Sequence, residues 1–221
     1  VEHTIKTQGG EKCVIDLMVS RISFDGEPAI IGTAIDITNR KQREHELEII
    51  SEMSESLRIN INKDEVLNSM IDKLSAILQL DGAEIALVNK QKTKIDLIKA
   101  SGDWSDLQNL HLNKDQGLSG YIISSGRPYL NNEPKYETPF LYPELIKGYG
   151  AIAGVPLFVK GEIIGSVVVG SKGHFSENDL RLLQAIGDLT ASALHRADLF
   201  EQTTQQTEEL RHAYDSTLEG W

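Results

Sequence analysis

Two apolar, β-branched runs, Gly150 to Val159 and Glu162 to Gly170, are separated only by Lys160 and Gly161 and lead directly into one long helical pattern. This stretch, residues 148 to 200, constrains the fold more than any other part of the chain. A two-residue connection containing a residue that tolerates positive φ predicts a tight antiparallel hairpin. Ile163, Ile164, Val167, Val168 and Val169 offer apolar side chains to both faces, so this strand is expected near the centre of a sheet covered on both sides. Ser176 is placed to cap the following helix, with Asp179 as the reciprocal member of a capping-box variant and Phe175 and Leu180 as a hydrophobic staple.

Read in order, the residues of this stretch resemble the C-terminal half of a GAF domain. The shared elements are Val155-Pro156-Leu157, Ile164-Gly165, Phe175-Ser176-Glu177-Asn178-Asp179 and Arg196-Ala197-Asp198-Leu199. The resemblance implies a small-molecule-binding, dimerising module of a bacterial multidomain signalling protein, spanning residues of about 45 to 200. Asp36-Ile37-Thr38-Asn39-Arg40-Lys41 is similar to the closing motif of PAS domains, and Asp25-Gly26-Glu27-Pro28 sits where such a domain turns between its last two strands. That second resemblance covers the final strands alone, and a structural role is expected of them.

Composition narrows the partners. A net charge of −11 disfavours nucleic acid and anionic membrane surfaces, because phosphate neutralisation needs clustered Lys and Arg. No apolar stretch approaches the length of a spanning helix and no signal-peptide pattern is present, so no membrane contact is expected from this portion. The single cysteine, Cys13, excludes an internal disulfide, and a reducing cytoplasm is the expected compartment. The chain reads as a piece of something longer.

Along the chain, strands are expected over Glu2 to Thr7, Lys12 to Phe24 and Ala29 to Thr38, with turns at Gly9-Gly10 and Asp25-Gly26. From Lys41 to Ile61 a charged helix carries Leu47, Ile50, Ser54, Leu57 and Ile61 at spacings of three and four. Such spacing suits both a helix packed on its own domain and a parallel helix pair between subunits. Asn62 starts a second helix with Glu65 and an Ile61–Val66 staple. Val66, Met70, Leu74, Ile77 and Leu78 form its buried stripe and Asp81-Gly82 its end. Hairpin strands over Ala83 to Asn89 and Lys94 to Ser101, a strand at Pro128 to Leu130 and the 150–170 hairpin predict an α+β fold. Its antiparallel sheet has five or six strands, long N- and C-terminal helices cover one face, and a short β-meander precedes it. The expected division is PAS-type strands over 1–40, a helical linker over 41–61, a sensor domain over 62–200 and a signalling helix over 201–221.

Five of the six tyrosines, Tyr121, Tyr129, Tyr136, Tyr142 and Tyr149, share one stretch with Pro128, Pro134, Pro139 and Pro143. Tyrosine gives a pocket apolar area and a hydrogen-bonding tip together, and it also closes small cores. The candidate ligand contacts are Tyr121, Tyr129, Asn131, Tyr136, Phe140, Tyr142, Tyr149 and Ser171, for a small molecule of unknown identity. Gly117-Leu118-Ser119-Gly120 begins a helix, read either as a plain start or as amides aimed at an anionic ligand. Ser171-Lys172-Gly173-His174-Phe175 resembles the N-K-x-x-F motif of cyclic-nucleotide-binding GAF domains, but Ser stands where that motif has Asn. An ion pair of Lys172 with Asp179 is the expectation instead. Bilin attachment and GAF-type methionine sulfoxide reduction both need cysteines that residues 45 to 200 lack. The six histidines show no metal-ligand spacing; His111 and His174 are the candidates for a lone haem ligand. No catalytic residue, metal site or cofactor is assigned.

The last helix carries a seam of Leu182, Ile186, Leu189, Ala193, Arg196, Phe200, Thr203, Thr207, Leu210, Tyr214, Thr217 and Trp221, with polar Thr203 and Thr207 in its middle. A homodimer through Leu47, Ile50, Leu57, Leu182, Ile186, Leu189, Ala193, Phe200 and Leu210 is expected, with signal passing along the paired helices. A solvated connector is the bland alternative. Glu209 to Trp221 resembles the first helix of HD-GYP phosphodiesterase domains. That resemblance implies a parent protein that hydrolyses cyclic di-GMP at a metal site outside this segment; a histidine kinase or diguanylate cyclase output is the competing expectation.

Overall fold

The computed structural model describes residues 1–7, 12–59, 62–134 and 139–219. The Gly9-Gly10 turn, Ile61 of the predicted staple, Tyr136 and Trp221 lie outside the described residues. The chain divides into two compact units, Val1–Ser51 and Glu52–Trp221.

In the first unit β1 (Glu2–Lys6), β2 (Lys12–Phe24) and β3 (Glu27–Asp36) form an antiparallel meander. Asp25 and Gly26 both take positive φ, 50° and 83°, which is the two-residue type I′ geometry that matches strand twist. The ladder therefore resumes at Glu27, two residues before the predicted start, and Pro28 is accommodated because β3 is an edge strand. Asp36 accepts the Thr38 N–H at 2.8 Å, while the Thr38 hydroxyl accepts the Val14 N–H at 2.8 Å. The Asp36-Ile37-Thr38 motif thus stops the strand and starts α1 (Thr38–Ile59) in three residues. The Thr38 bonds hold the Asp36 carboxyl below its usual range. Strand alternation sets Met18, Ile22, Phe24, Ile31 and Ile35 on one face of the meander, and all five are exposed.

The second unit is built on a six-stranded antiparallel sheet of order β6-β5-β4-β9-β8-β7. Its strands are β4 (Gly82–Val88), β5 (Lys94–Gly102), β6 (His111–Asn113), β7 (Tyr129–Asn131), β8 (Ala151–Val159) and β9 (Glu162–Ser171). The predicted hairpin is β8–β9, and Lys160 and Gly161 adopt positive φ of 50° and 85° in a second type I′ turn. As expected, β9 is central. The three-residue β6 was not anticipated, since a segment so short shows no alternation of its own.

Helix α2 (Lys63–Leu78) begins at Asn62, whose Oδ1 accepts the Asp64 N–H at 2.8 Å. It ends earlier than predicted, because Gln79 takes the left-handed conformation and returns its N–H to the Ser75 carbonyl. Gly82, read as part of the stop, is the first residue of β4. Val66, Leu67, Met70, Ile71 and Leu74 are the buried stripe. Helix α4 (Glu177–Glu219) opens with the predicted reciprocal cap: Asp179 Oδ2 accepts the Ser176 N–H at 2.7 Å and Ser176 Oγ accepts the Asp179 N–H at 3.2 Å.

Of the predicted helix seam, Leu57, Leu182, Ile186 and Ala193 are buried within the unit's own core. Ile50 and Leu189 are half-buried, and Leu47, Phe200 and Leu210 are exposed. The four buried ones are therefore core residues and not a subunit seam, because the stripe that packs a helix onto a sheet has the same three-four rhythm as such a seam. α4 packs on β8 and α2, and the short α3 (Gly117–Ser125) packs on β8 and β9. Alternation along β8 separates the two helices: Ile152 joins the cluster containing Leu118 and Ile122 of α3, whereas Val155 and Leu157 approach Gly187 of α4.

Candidate functional site

The face of the sheet under α3 and the connecting loops forms a partly open cavity of about 50 Å³. β4 contributes Glu84 to its wall, β5 Leu97 and β9 Val168; the turn after β5 adds Trp104 and Leu107. Leu118 and Ser119 of α3 form another side, and Phe140, Tyr142, Leu145 and Ile146 close it from the segment before β8.

Glu84 is the residue that sets the chemistry of this space. It occupies a central strand, directly opposite Val168 of β9 and Ala100 of β5, and only 9 % of it is exposed. Its Oε1 accepts a 2.6 Å hydrogen bond from Ser119 Oγ, and among the described residues no cation pairs with it. Removing a carboxylate from water without a counter-charge is costly, so burial pushes the Glu84 carboxyl above its usual range, while the Ser119 bond opposes part of that rise. Ser119 lies in the first turn of α3, where the helix is positive and uncapped by the Gln116 side chain. An internal acid therefore stands at the helix start that the sequence offered as an anion site.

One end of the cavity is closed by an aromatic pair. Trp104 stacks on Tyr149 with ring centroids 5.3 Å apart, and Trp104 Nε1 donates to the Leu145 carbonyl at 3.3 Å. The pair rests on Gly82 and Gly170, which face each other across β4 and β9. A Cβ on Gly82 would come within 2.7 Å of Trp104 and of the Tyr149 oxygen, and one on Gly170 within 2.5 Å of the Tyr149 ring. Two bare backbones thus provide the seat for two large rings. Burial raises the Tyr149 phenol, and the Asp103 charge adds to this. Beside it, Lys172 Nζ lies 3.3 Å from Asp81 and 3.2 Å from Asp103, and its N–H donates to Asp81 at 2.7 Å. The partner expected from sequence, Asp179, is instead engaged in the helix cap.

The seven sequence candidates among the described residues are not all brought together. Phe140 and Tyr142 line the cavity, and Tyr149 stands behind Trp104. Tyr121 points out from α3 and meets Tyr129 edge to face at 6.2 Å, while Asn131 donates to the Tyr129 hydroxyl and accepts the Glu133 N–H. Ser171 Oγ is occupied by the Gln79 carbonyl and the Gly173 N–H. His111 is exposed and bound to Asp96 at 2.6 Å, and His174 is exposed, so neither enters the cavity as a haem ligand would. Among the described residues, no three His, Cys, Asp or Glu side chains gather at metal-binding distance, and no helix is long and apolar enough to cross a membrane. Sequence reasoning missed Glu84 and Trp104, and it singled out Ser119 only as part of a helix start. A single acid inside the apolar run Gly82-Ala83-Glu84-Ile85-Ala86-Leu87-Val88 was the available signal.

Comparison with known proteins gives a consistent result. A family model described as GAF domain matches residues 60–195. The GAF domain of a phosphoenolpyruvate-protein phosphotransferase from Coxiella burnetii superposes with a TM-score of 0.63 at 20 % identity, covering 71 % of this chain and 96 % of that one. The GAF domain of a two-component sensor histidine kinase from Bacillus halodurans gives 0.55 at 21 %, covering 64 % and 99 %. The free methionine-R-sulfoxide reductase of Neisseria meningitidis gives 0.59 at 15 %, covering 70 % and 90 %. The search of curated proteins gives no match.

Proposed function

Because the chain belongs to the GAF domain family over residues 60–195, we propose that it is a non-catalytic sensory module that binds a small molecule in the loop-face cavity and passes the signal along α4. GAF domains are regulatory modules of signalling proteins. The observation that carries the reading is the apolar cavity with one buried acid in its wall that has no counter-charge among the described residues. A core built for stability alone gains nothing from such a group, whereas a binding site uses one polar contact to orient its ligand. Among the described residues the cavity wall carries no thiol and no second carboxylate, which favours binding over turnover.

Ligand that favours one of two helix arrangements would shift α4, whose 43 residues extend well past the sheet. Exposed Leu47, Phe200 and Leu210 support a homodimer contact outside the core. The exposed apolar face of the N-terminal meander supports reading residues 1–40 as the closing strands of a PAS domain. As the output domain that α4 would drive, an HD-GYP phosphodiesterase is our reading, with a histidine kinase or diguanylate cyclase as the competing output, in a cytoplasmic protein.

Native mass spectrometry of the 221-residue chain, incubated with a metabolite extract, tests the proposal. One small molecule bound per chain, lost in Leu118→Trp where the indole fills the cavity, is the expected result. No bound molecule, or one retained with tryptophan at position 118, overturns it. Light scattering is expected to give a dimer; a monomer would contradict the paired-helix route.

A further inference from the structure

The polar inventory of the cavity restricts what can enter. Ser119 spends its only proton on Glu84 Oε1, so the two side chains turn acceptors, not donors, toward the remaining space once the carboxyl is ionised. Among the described residues, no cation in the cavity wall would compensate this acid beside an anionic ligand. A neutral apolar ligand would leave the buried carboxyl as poorly solvated as before. A cation supplies both the missing charge and the missing donors, and the aromatic wall of Trp104, Phe140 and Tyr142 is compatible with positive charge. Size is limiting as well. A water molecule needs roughly 10–15 Å³ of such space, so about 50 Å³ holds on the order of three to five heavy atoms.

We infer that the cavity selects a small organic cation of about three to five heavy atoms, an apolar skeleton bearing a protonated nitrogen, with Glu84 as its anchor and Ser119 as the residue that orients the carboxylate. This rests on the reading of the loop face as a ligand site. Binding carries a proton balance: an already protonated amine enters, Glu84 ionises, and the carboxyl proton leaves to solvent. Affinity therefore rises with pH through the titration of Glu84 and levels off above it. Few other groups can imitate this dependence. Tyr142 is the one other titratable side chain in the cavity wall among the described residues; Ala100 and Val168 flank Glu84 in the sheet, and α3 carries no charged residue.

The test uses three probes of nearly equal size, n-butylammonium, 1-butanol and butyrate, titrated into the whole chain and monitored by the amide shifts of Glu84, Ser119 and Val168. Butylammonium is expected to bind about tenfold more tightly than butanol, the scale of one hydrogen bond to a charged group, and butyrate not at all. Glu84→Gln should reduce butylammonium to the level of butanol while butanol binding persists. Equal or tighter binding of butanol or butyrate by the wild-type chain, or an undiminished preference in Glu84→Gln, overturns the cation assignment and leaves the ligand site standing. Silence of all three amides to every probe overturns the site and the assignment together. Should the variant not fold, the wild-type preference for butylammonium, measured at about pH 5 and about pH 8, decides: growth with pH is required, and a constant ratio refutes the proposal.

Discussion

β8 and β9 serve two faces of one sheet, and the faces are filled by different means. Toward α4, β8 presents Val155 and Leu157, and the helix answers with buried Leu183, Ile186, Ala193 and Leu194. Two long helices can mould a continuous apolar stripe to a sheet. Toward α3, the same strands present Ile152 and Val168, but the cover is a nine-residue helix and irregular turns. Short pieces joined by loops cannot close-pack a surface of this width, and the space left over contains Glu84. A fold of this kind tolerates an imperfection on one face alone: the closely packed face anchors the long helix α4, and the loosely covered face holds the buried acid.

The sharpest way to break this comparison is to truncate each face. Ile186→Ala on the helix face should cost about 3–4 kcal/mol in urea denaturation, as for a fully buried aliphatic side chain, with probe binding retained. A loss of only a few tenths would mean that the helix face is not the better packed. Gly170→Ala should cost about 1–3 kcal/mol, because a Cβ there would lie 2.5 Å from the rigid Tyr149 ring. Near-ultraviolet circular dichroism should register the displaced Trp104–Tyr149 stack, and an unchanged spectrum would deny the pair its seat.

Glu84→Gln should act in the opposite direction. Its folded-state pKa is raised, so between the unfolded and folded values the folded chain holds the extra proton, and stability falls as pH rises through that window and stays lower above it. The variant should therefore gain stability over wild type at neutral pH and lose that pH dependence; destabilisation at neutral pH would show that the carboxylate is satisfied in the fold. Lys172→Ala should be the smallest effect, leaving the denaturation midpoint close to wild type, because its partners Asp81 and Asp103 are reached at the surface.

What could be read from the chain alone divides along the same line. The β8–β9 hairpin, its Lys160-Gly161 turn and the Ser176–Asp179 cap depend on neighbours two or three residues apart, so local chemistry dictates them. The site depends on pairs that only the fold creates. Ser119 reaches Glu84 across 35 positions and Lys172 reaches Asp81 across 91. The tyrosine cluster was a real signal of a loop-covered face, yet closeness in sequence did not become convergence, because the phase of α3 turns Tyr121 outward and β7 carries Tyr129 to its side. Phe140 and Tyr142 were legible because they sit in the covering segment itself.

The loop face keeps a buried carboxyl, without a counter-charge among the described residues, in the wall of its cavity. Titration of the Glu84 side-chain carboxyl by carbon-detected NMR tests this most directly. A midpoint above the ordinary glutamate range is expected in the unliganded chain, falling when n-butylammonium is added. A midpoint within the ordinary range, indifferent to the amine, would contradict it.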